Sequence, residues 1–197
     1  TATVNVNGAG IALWGVATGH GLWNRNGDGL VAAGSRTVVT STGTSDELFN
    51  ITVSNAEIGY MVVRPTTAWS AFSFQTTAAL DGLYFHDLIM DTRRPDPSVT
   101  TRGFDFTNRN GGNGSNRMGN AVGICTAYIE RVTFLNRGAQ GEAINLATCN
   151  VHIRDCRIDH ISGTWASTLI VATGCGDSLV QNVVWTNSGT ITVCAAG

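Results

Sequence analysis

A chain of 197 residues with 14 acidic and 12 basic side chains has a formal charge of −2. That removes the case for the strongly basic surface of a nucleic-acid binder or of a protein held on an anionic membrane. Glycine is frequent (24) and charge is sparse (13%), no apolar run is long enough to span a bilayer as a helix, and the balance favours strands joined by many turns. The length suits one domain. All twelve basic residues are arginine, a side chain suited to bidentate contacts at interfaces or on carboxylated ligands.

Residues 1–48 form the least regular part and are expected to make an N-terminal cap with a partial first coil. Thr3 to Asn7 (TVNVN) alternates like a strand and is suited to insertion into a neighbouring chain. Ile11 to Trp23 mixes glycine with large apolar residues, as a segment folded over an open sheet end would. Asn24 to Gly29 has the start of a calcium loop, but Ser35 stands where a bidentate glutamate is required. A glycine-rich turn is expected there, with no metal. Thr37 to Thr42 (TVVTST) reads as a strand of an incomplete first coil. A chain that begins at Thr1 is expected to have lost a leader or to be a processed piece.

From residue 49 onward a pattern recurs. Met61, Leu88, Val132, Cys156 and Val183 are spaced by 27, 44, 24 and 27 residues. Three positions before each anchor stand Ile58, Phe85, Ile129, Ile153 and Val180; two positions after stand Val63, Met90, Phe134, Ile158 and Trp185. Strict alternation would send positions three apart to opposite faces, yet both are apolar in every repeat. A corner is therefore expected between them, at Gly59-Tyr60, His86-Asp87, Glu130-Arg131, Arg154-Asp155 and Gln181-Asn182. A further strand of alternating apolar residues opens each repeat: Ile51/Val53, Phe72/Phe74, Phe104/Phe106, Ile144/Leu146, Leu169/Val171 and Ile191/Val193. Three strands in roughly two dozen residues, like stacked over like, describe a parallel β-helix of about five to six coils over 49–197.

Cys125, Cys149 and Cys175 precede their anchors by seven or eight residues and are expected to stack as reduced thiols at one inner corner, with Cys156 inside the third strand. No cysteine spacing fits a metal site, and no cofactor is expected. Asn136 and Asn187, with His160 between them, recur four positions after the anchor and suggest a side-chain ladder. Two long loops concentrate arginine: 91–103 with Arg93, Arg94 and Arg102, and 107–123 with Arg109 and Arg117. Such loops suit contact with a partner or an acidic ligand. The outward row of the third strand runs Val62, Ile89, Thr133, Arg157 and Val184, and exposed aliphatics along a sheet mark an interface. The corner charges on successive coils suit surface ion pairs, or contact with a sugar or a partner. The chain stops just after a first strand (TITVC), which suggests an end covered by another chain or domain.

This repeat resembles the right-handed parallel β-helices of the pectate-lyase-like superfamily and of phage tailspikes. The resemblance implies an all-β, single-stranded right-handed helix whose outward first-strand face, Thr52, Ser73, Asp105, Asn145, Ile170 and Thr192, is where chemistry would sit. Glycoside hydrolysis needs two carboxylates, and this face offers Asp105, with Glu142 as a possible neighbour; the superfamily's hydrolase and lyase motifs have no clear match. The leading expectation is a non-enzymatic virion-surface protein of the head-decoration or spike type. It would be a homotrimer with the Val62–Val184 row as contact, seated on a major capsid or tail protein and touching host glycans, with no nucleic acid and no membrane insertion. The rivals are a tailspike-like polysaccharide depolymerase or lyase using Asp105 and Glu142, and a secreted filament subunit.

Overall fold

The structure, a computed structural model, describes residues 4–8, 10–15, 37–40, 47–65, 70–74, 80–91, 102–105, 125–136, 142–147, 149–160, 170–173 and 178–186. Among these there are 18 strands and no helix. They form three six-stranded sheets. The first contains β1 (Val4–Val6), β4 (Glu47–Ile51), β7 (Ser70–Phe74), β10 (Arg102–Asp105), β13 (Glu142–Ala147) and β16 (Ile170–Thr173). The second contains β2 (Ala12–Trp14), β5 (Glu57–Gly59), β8 (Leu83–His86), β11 (Cys125–Glu130), β14 (Cys149–Arg154) and β17 (Leu179–Gln181). The third contains β3 (Thr37–Thr40), β6 (Met61–Arg64), β9 (Ile89–Asp91), β12 (Thr133–Asn136), β15 (Arg157–His160) and β18 (Val184–Thr186). Each strand pairs in parallel with the strands three before and three after it, so every run of three strands adds one tier to all three sheets. Parallel partners need a long crossover, and here the crossover is the other two strands of the tier.

The register follows the apolar pattern. In the second sheet Leu13, Ile58, Phe85, Ile129, Ile153 and Val180 stand in one column. In the third, Val39, Val63, Met90, Phe134, Ile158 and Trp185 do the same. Ile58, Phe85, Ile129, Val63, Met90, Leu88 and Val132 are fully buried, and all belong to one core. The sheets meet at Phe104, whose ring lies edge-on to Phe85 at 5.0 Å and to Phe134 at 5.9 Å. One aromatic from each sheet therefore fills the centre, a contact that adds to plain area burial.

The expected first-strand phase needs correction at two places. Phe49, not Ile51, pairs with Phe72, and Ile170, not Leu169, pairs with Ile144. The register row expected from the sequence to face outward thus runs through Asn50, Ser73, Asp105, Asn145 and Val171, and Thr52 and Ile170 leave it. Within Thr3 to Asn7, Val4–Val6 pairs with Phe49–Ile51 of its own chain and forms the edge strand of the first sheet. With β2 on β5 and β3 on β6, the described part of residues 1–48 makes a complete first tier. The register sets Cys125 beside Cys149; Cys175 lies outside the described residues.

Phe104→Ala is expected to lower unfolding free energy by about 3–5 kcal/mol, the usual cost of emptying a buried phenylalanine site. Val184→Ala, on a residue 52% exposed, should stay within about 0.5 kcal/mol. Urea unfolding of both variants checks the contrast.

Candidate functional site

The corner between the second and third sheets has one backbone device. Tyr60, Asp87, Arg131, Asp155 and Asn182 all hold φ between 51° and 59°. These are the second members of the five corner pairs expected from the sequence. A left-handed residue turns the chain sharply while the parallel ladder continues: the N–H of Asp87, Arg131 and Asp155 donates to the carbonyl of Glu130, Arg154 and Gln181 in the next tier. Asp and Asn tolerate this conformation, whereas Tyr and Arg do so at a cost.

Two solvent-facing columns of the second sheet lead into that corner. One runs Ala12, Glu57, Tyr84, Tyr128, His152 and Leu179; the other runs Trp14, Gly59, His86, Glu130, Arg154 and Gln181. His86 is the hub and is 3% exposed. Its Nε2 lies 2.9 Å from Glu57 Oε1 and its Nδ1 2.8 Å from Asp87 Oδ2. Tyr84 stacks on the imidazole at 4.4 Å, and Tyr60 meets it edge-on at 5.0 Å. Gly59 occupies the position beneath because the ring fills the space. A Cβ there would stand 2.7 Å from His86 Cε1.

From His86 the bonds run on through the tiers. Arg131 holds Asp87 with two parallel bonds, Nε to Oδ1 at 3.0 Å and a terminal nitrogen to Oδ2 at 2.8 Å. It also donates to Glu130 Oε2 at 3.1 Å. Tyr84 donates its hydroxyl to Glu130 at 3.0 Å, and Arg154 donates to the other Glu130 oxygen at 2.7 Å. Asn182 donates to Asp155. At the opposite end Trp14 Nε1 donates to Glu57 Oε1 at 2.9 Å. The fork geometry and partial burial make these stronger than isolated surface pairs.

The electrostatics follow from the partners. Burial pulls the His86 pKa down, but the bonds to Asp87 and Glu57 outweigh it and the net shift is upward. Burial pushes Asp87 up, yet the bonds from His86 and Arg131 bring it down to about 2. Arg131 is raised, first by its bond to Asp87. Tyr84 is raised chiefly by burial. Burial pushes the Cys156 thiol up to about 12, so it packs as a small apolar group and not as a nucleophile.

The residues expected from the sequence to form sites are distributed differently. Val62, Ile89, Thr133, Arg157 and Val184 do stand in one register column. However, Val62 is 3% and Ile89 7% exposed, and with Leu135 they form a small second core. The chain itself covers that part of the row, and only Val184 of the five is strongly exposed. On the same face Arg64 holds the buried Asp91 at 2.9 Å. Asp105 pairs with Asn145, while Glu142 pairs with Arg102. The two acids therefore stand three register positions apart on adjacent strands, not side by side. Arg93, Arg94, Arg109 and Arg117 lie outside the described residues, as do Asn187 and the segment 24–29. Asn136 pairs with His160, as the recurring position required. Among the described residues no cluster of His, Cys, Asp or Glu is placed to hold a metal, and no helix is long and apolar enough to cross a membrane.

The sequence pointed to the corner charges but not to Trp14, Glu57, Tyr60, Tyr84 or Tyr128 as a group. The signal was present. Glu57, Tyr84, Tyr128 and His152 each lie four positions before an anchor, where exposed β-positions need no large aromatic. Comparison with family models, with curated proteins and with solved structures finds nothing that matches the chain.

Both ring nitrogens of His86 can donate only in the imidazolium form. Its raised pKa means that its contribution to stability is full below the unfolded value of about 6.5 and is lost as pH rises through the folded value. Asp87 contributes above its unfolded value, about 3.9, and loses that contribution as pH falls through about 2. Thermal midpoints are expected to be highest between about pH 4 and pH 6.5, and His86→Gln should flatten the alkaline limb. Gly59→Ala is expected to cost roughly 1–3 kcal/mol by displacing the ring, and to remove the same limb. Melting curves across pH for the three proteins check both.

Proposed function

We propose that the chain is a right-handed, single-stranded parallel β-helix of five to six coils that acts as a non-enzymatic structural protein of a virion surface, of the head-decoration or spike type. The observation that carries the non-enzymatic reading is the corner ladder. Its carboxylates at Asp87 and Glu130 are held from both oxygens by Arg131, Arg154, Tyr84 and His86. Groups so engaged lend rigidity and are poorly placed to transfer protons. Tier-on-tier register in all three sheets supports a stiff spacer, and the stacked repeat resembles phage spikes.

The rival reading, a polysaccharide depolymerase, needs paired carboxylates at about 5–9.5 Å. Three register positions along one strand and one strand spacing across put the Asp105 and Glu142 backbones about 11 Å apart, so the two acids are not cross-strand neighbours. A homotrimer seated on a capsid or tail protein remains the proposed assembly. With Val62 and Ile89 covered, its contact is drawn to the Val184 end of the row.

Light scattering after size exclusion is expected to give three times the chain mass of 20.7 kDa, and Val184→Asp is expected to reduce it to the monomer. A monomeric parent chain overturns the trimer. Release of oligosaccharide from bacterial surface polysaccharide, abolished in Asp105→Asn, overturns the non-enzymatic reading.

A further inference from the structure

We propose that Trp14, Tyr60 and Glu57 form a binding corner for an uncharged saccharide ring. The first ground is the backbone at Tyr60. Five residues share the left-handed corner position. Three are Asp or Asn, which suit it, and Arg131 is compensated by its bonds to Asp87 and Glu130. Tyr60 has no such compensation. It makes ring contacts with Trp14 and His86, its hydroxyl has no partner among the described residues, and it is 43% exposed. A bulky residue held at positive φ is a true outlier. Strain of this kind, kept where no side-chain hydrogen bond among the described residues offsets it, marks a surface suited to contact.

The second ground is the arrangement around it. Trp14 is 60% exposed, and its ring stands at 88° to Tyr60 with centroids 6.4 Å apart, so two aromatic surfaces at right angles face solvent. Beside them Glu57 uses one oxygen, Oε1, for both the Trp14 indole and the His86 ring. Oε2 has no partner among the described residues, and the side chain is 34% exposed. Its orientation is therefore set from two sides while one acceptor stays open. A sugar presents an apolar C–H face for an aromatic ring and hydroxyl donors for a carboxylate oxygen. The tyrosine hydroxyl can donate or accept at the rim.

Charge selects among ligands. Two aromatic rings and a carboxylate also suit a quaternary ammonium ion. Here, however, the His86 ring lies 2.9 Å from Glu57 and 2.8 Å from Asp87, and Arg131 holds Asp87 as well. The acids beside the rings are already engaged by hydrogen-bond partners within the chain, which weakens their pull on a further cation. An uncharged polyhydroxyl ring fits better than an ion. The inference does not depend on the virion reading and applies to this chain in any setting.

The test uses the 197-residue chain labelled with ¹⁵N, with the Trp14 indole signal assigned as the one lost in Trp14→Phe. Cellotetraose, maltotetraose and N-acetylchitotetraose are each titrated to millimolar concentration, with tetramethylammonium chloride as the charged probe. The expected result is a saturable shift of the Trp14 signal with at least one saccharide, unchanged by added salt because the ligand is neutral. Tyr60→Asn puts at this corner a residue type already used at Asn182, so the fold should persist with a thermal midpoint within about 4 °C of the parent. The saccharide response should be lost in that variant and weakened at least fivefold in Glu57→Gln. No saturable shift with any of the three saccharides overturns the proposal, as does a response undiminished in Tyr60→Asn. A response to tetramethylammonium alone overturns it in favour of a cation.

Discussion

A parallel ladder that runs through a bend survives only if every tier bends at the same residue and in the same way. In this chain that constraint falls on one left-handed position in each of the five tiers from Tyr60 to Asn182. Each left-handed residue costs on the order of 1–2 kcal/mol for an L-amino acid. In return the N–H groups of Asp87, Arg131 and Asp155 find carbonyls in the next tier. The apolar columns on either side depend on this. The corner lets positions three apart both face the core, so the second and third sheets can close on the same aromatic centre at Phe85, Phe104 and Phe134.

The repeating apolar columns were legible because burial at the anchor, three before it and two after it leaves little freedom of residue type. Ile58, Phe85 and Ile129, or Val63, Met90 and Phe134, could hardly be polar at 0–1% exposure. The corner was legible by contradiction, since alternation alone could not bury both sets. The first sheet was harder. Phe49 and Ile51 are both apolar and both buried, with Val53 packed against the core beyond them, so periodicity alone allowed a shift of two positions. The first tier was obscured for another reason: 22 residues separate β2 from β3, and a fixed repeat cannot be followed across such an insertion.

The outward residues were the least legible, and the third sheet shows why. Val62 and Ile89 alternate away from the main core and so read as an exposed strip, yet the chain covers them with Leu135 beside them. Local alternation states which side of a sheet a residue takes. It carries no information on whether a distant segment lies over that side. The same gap hid the His86 cluster, because Glu57, 29 positions away, becomes a partner of the imidazole only through the register of β5 on β8.

The corner position therefore carries two kinds of residue for two reasons. In the later tiers Asp155 and Asn182 relieve the backbone and bond to one another, which is what stability alone would choose. In the first of these five tiers the same position holds Tyr60, and its neighbours replace a simple polar bend with Trp14, Glu57, His86 and a glycine required by the ring above. The left-handed backbone at Tyr60 is the same as at Asp155 and Asn182, so the backbone requirement alone does not call for a tyrosine. Departures from the locally favoured residue concentrate where function opposes stability. On this chain they concentrate at one end of one face, where the aromatic rings are exposed and an acceptor oxygen stands open.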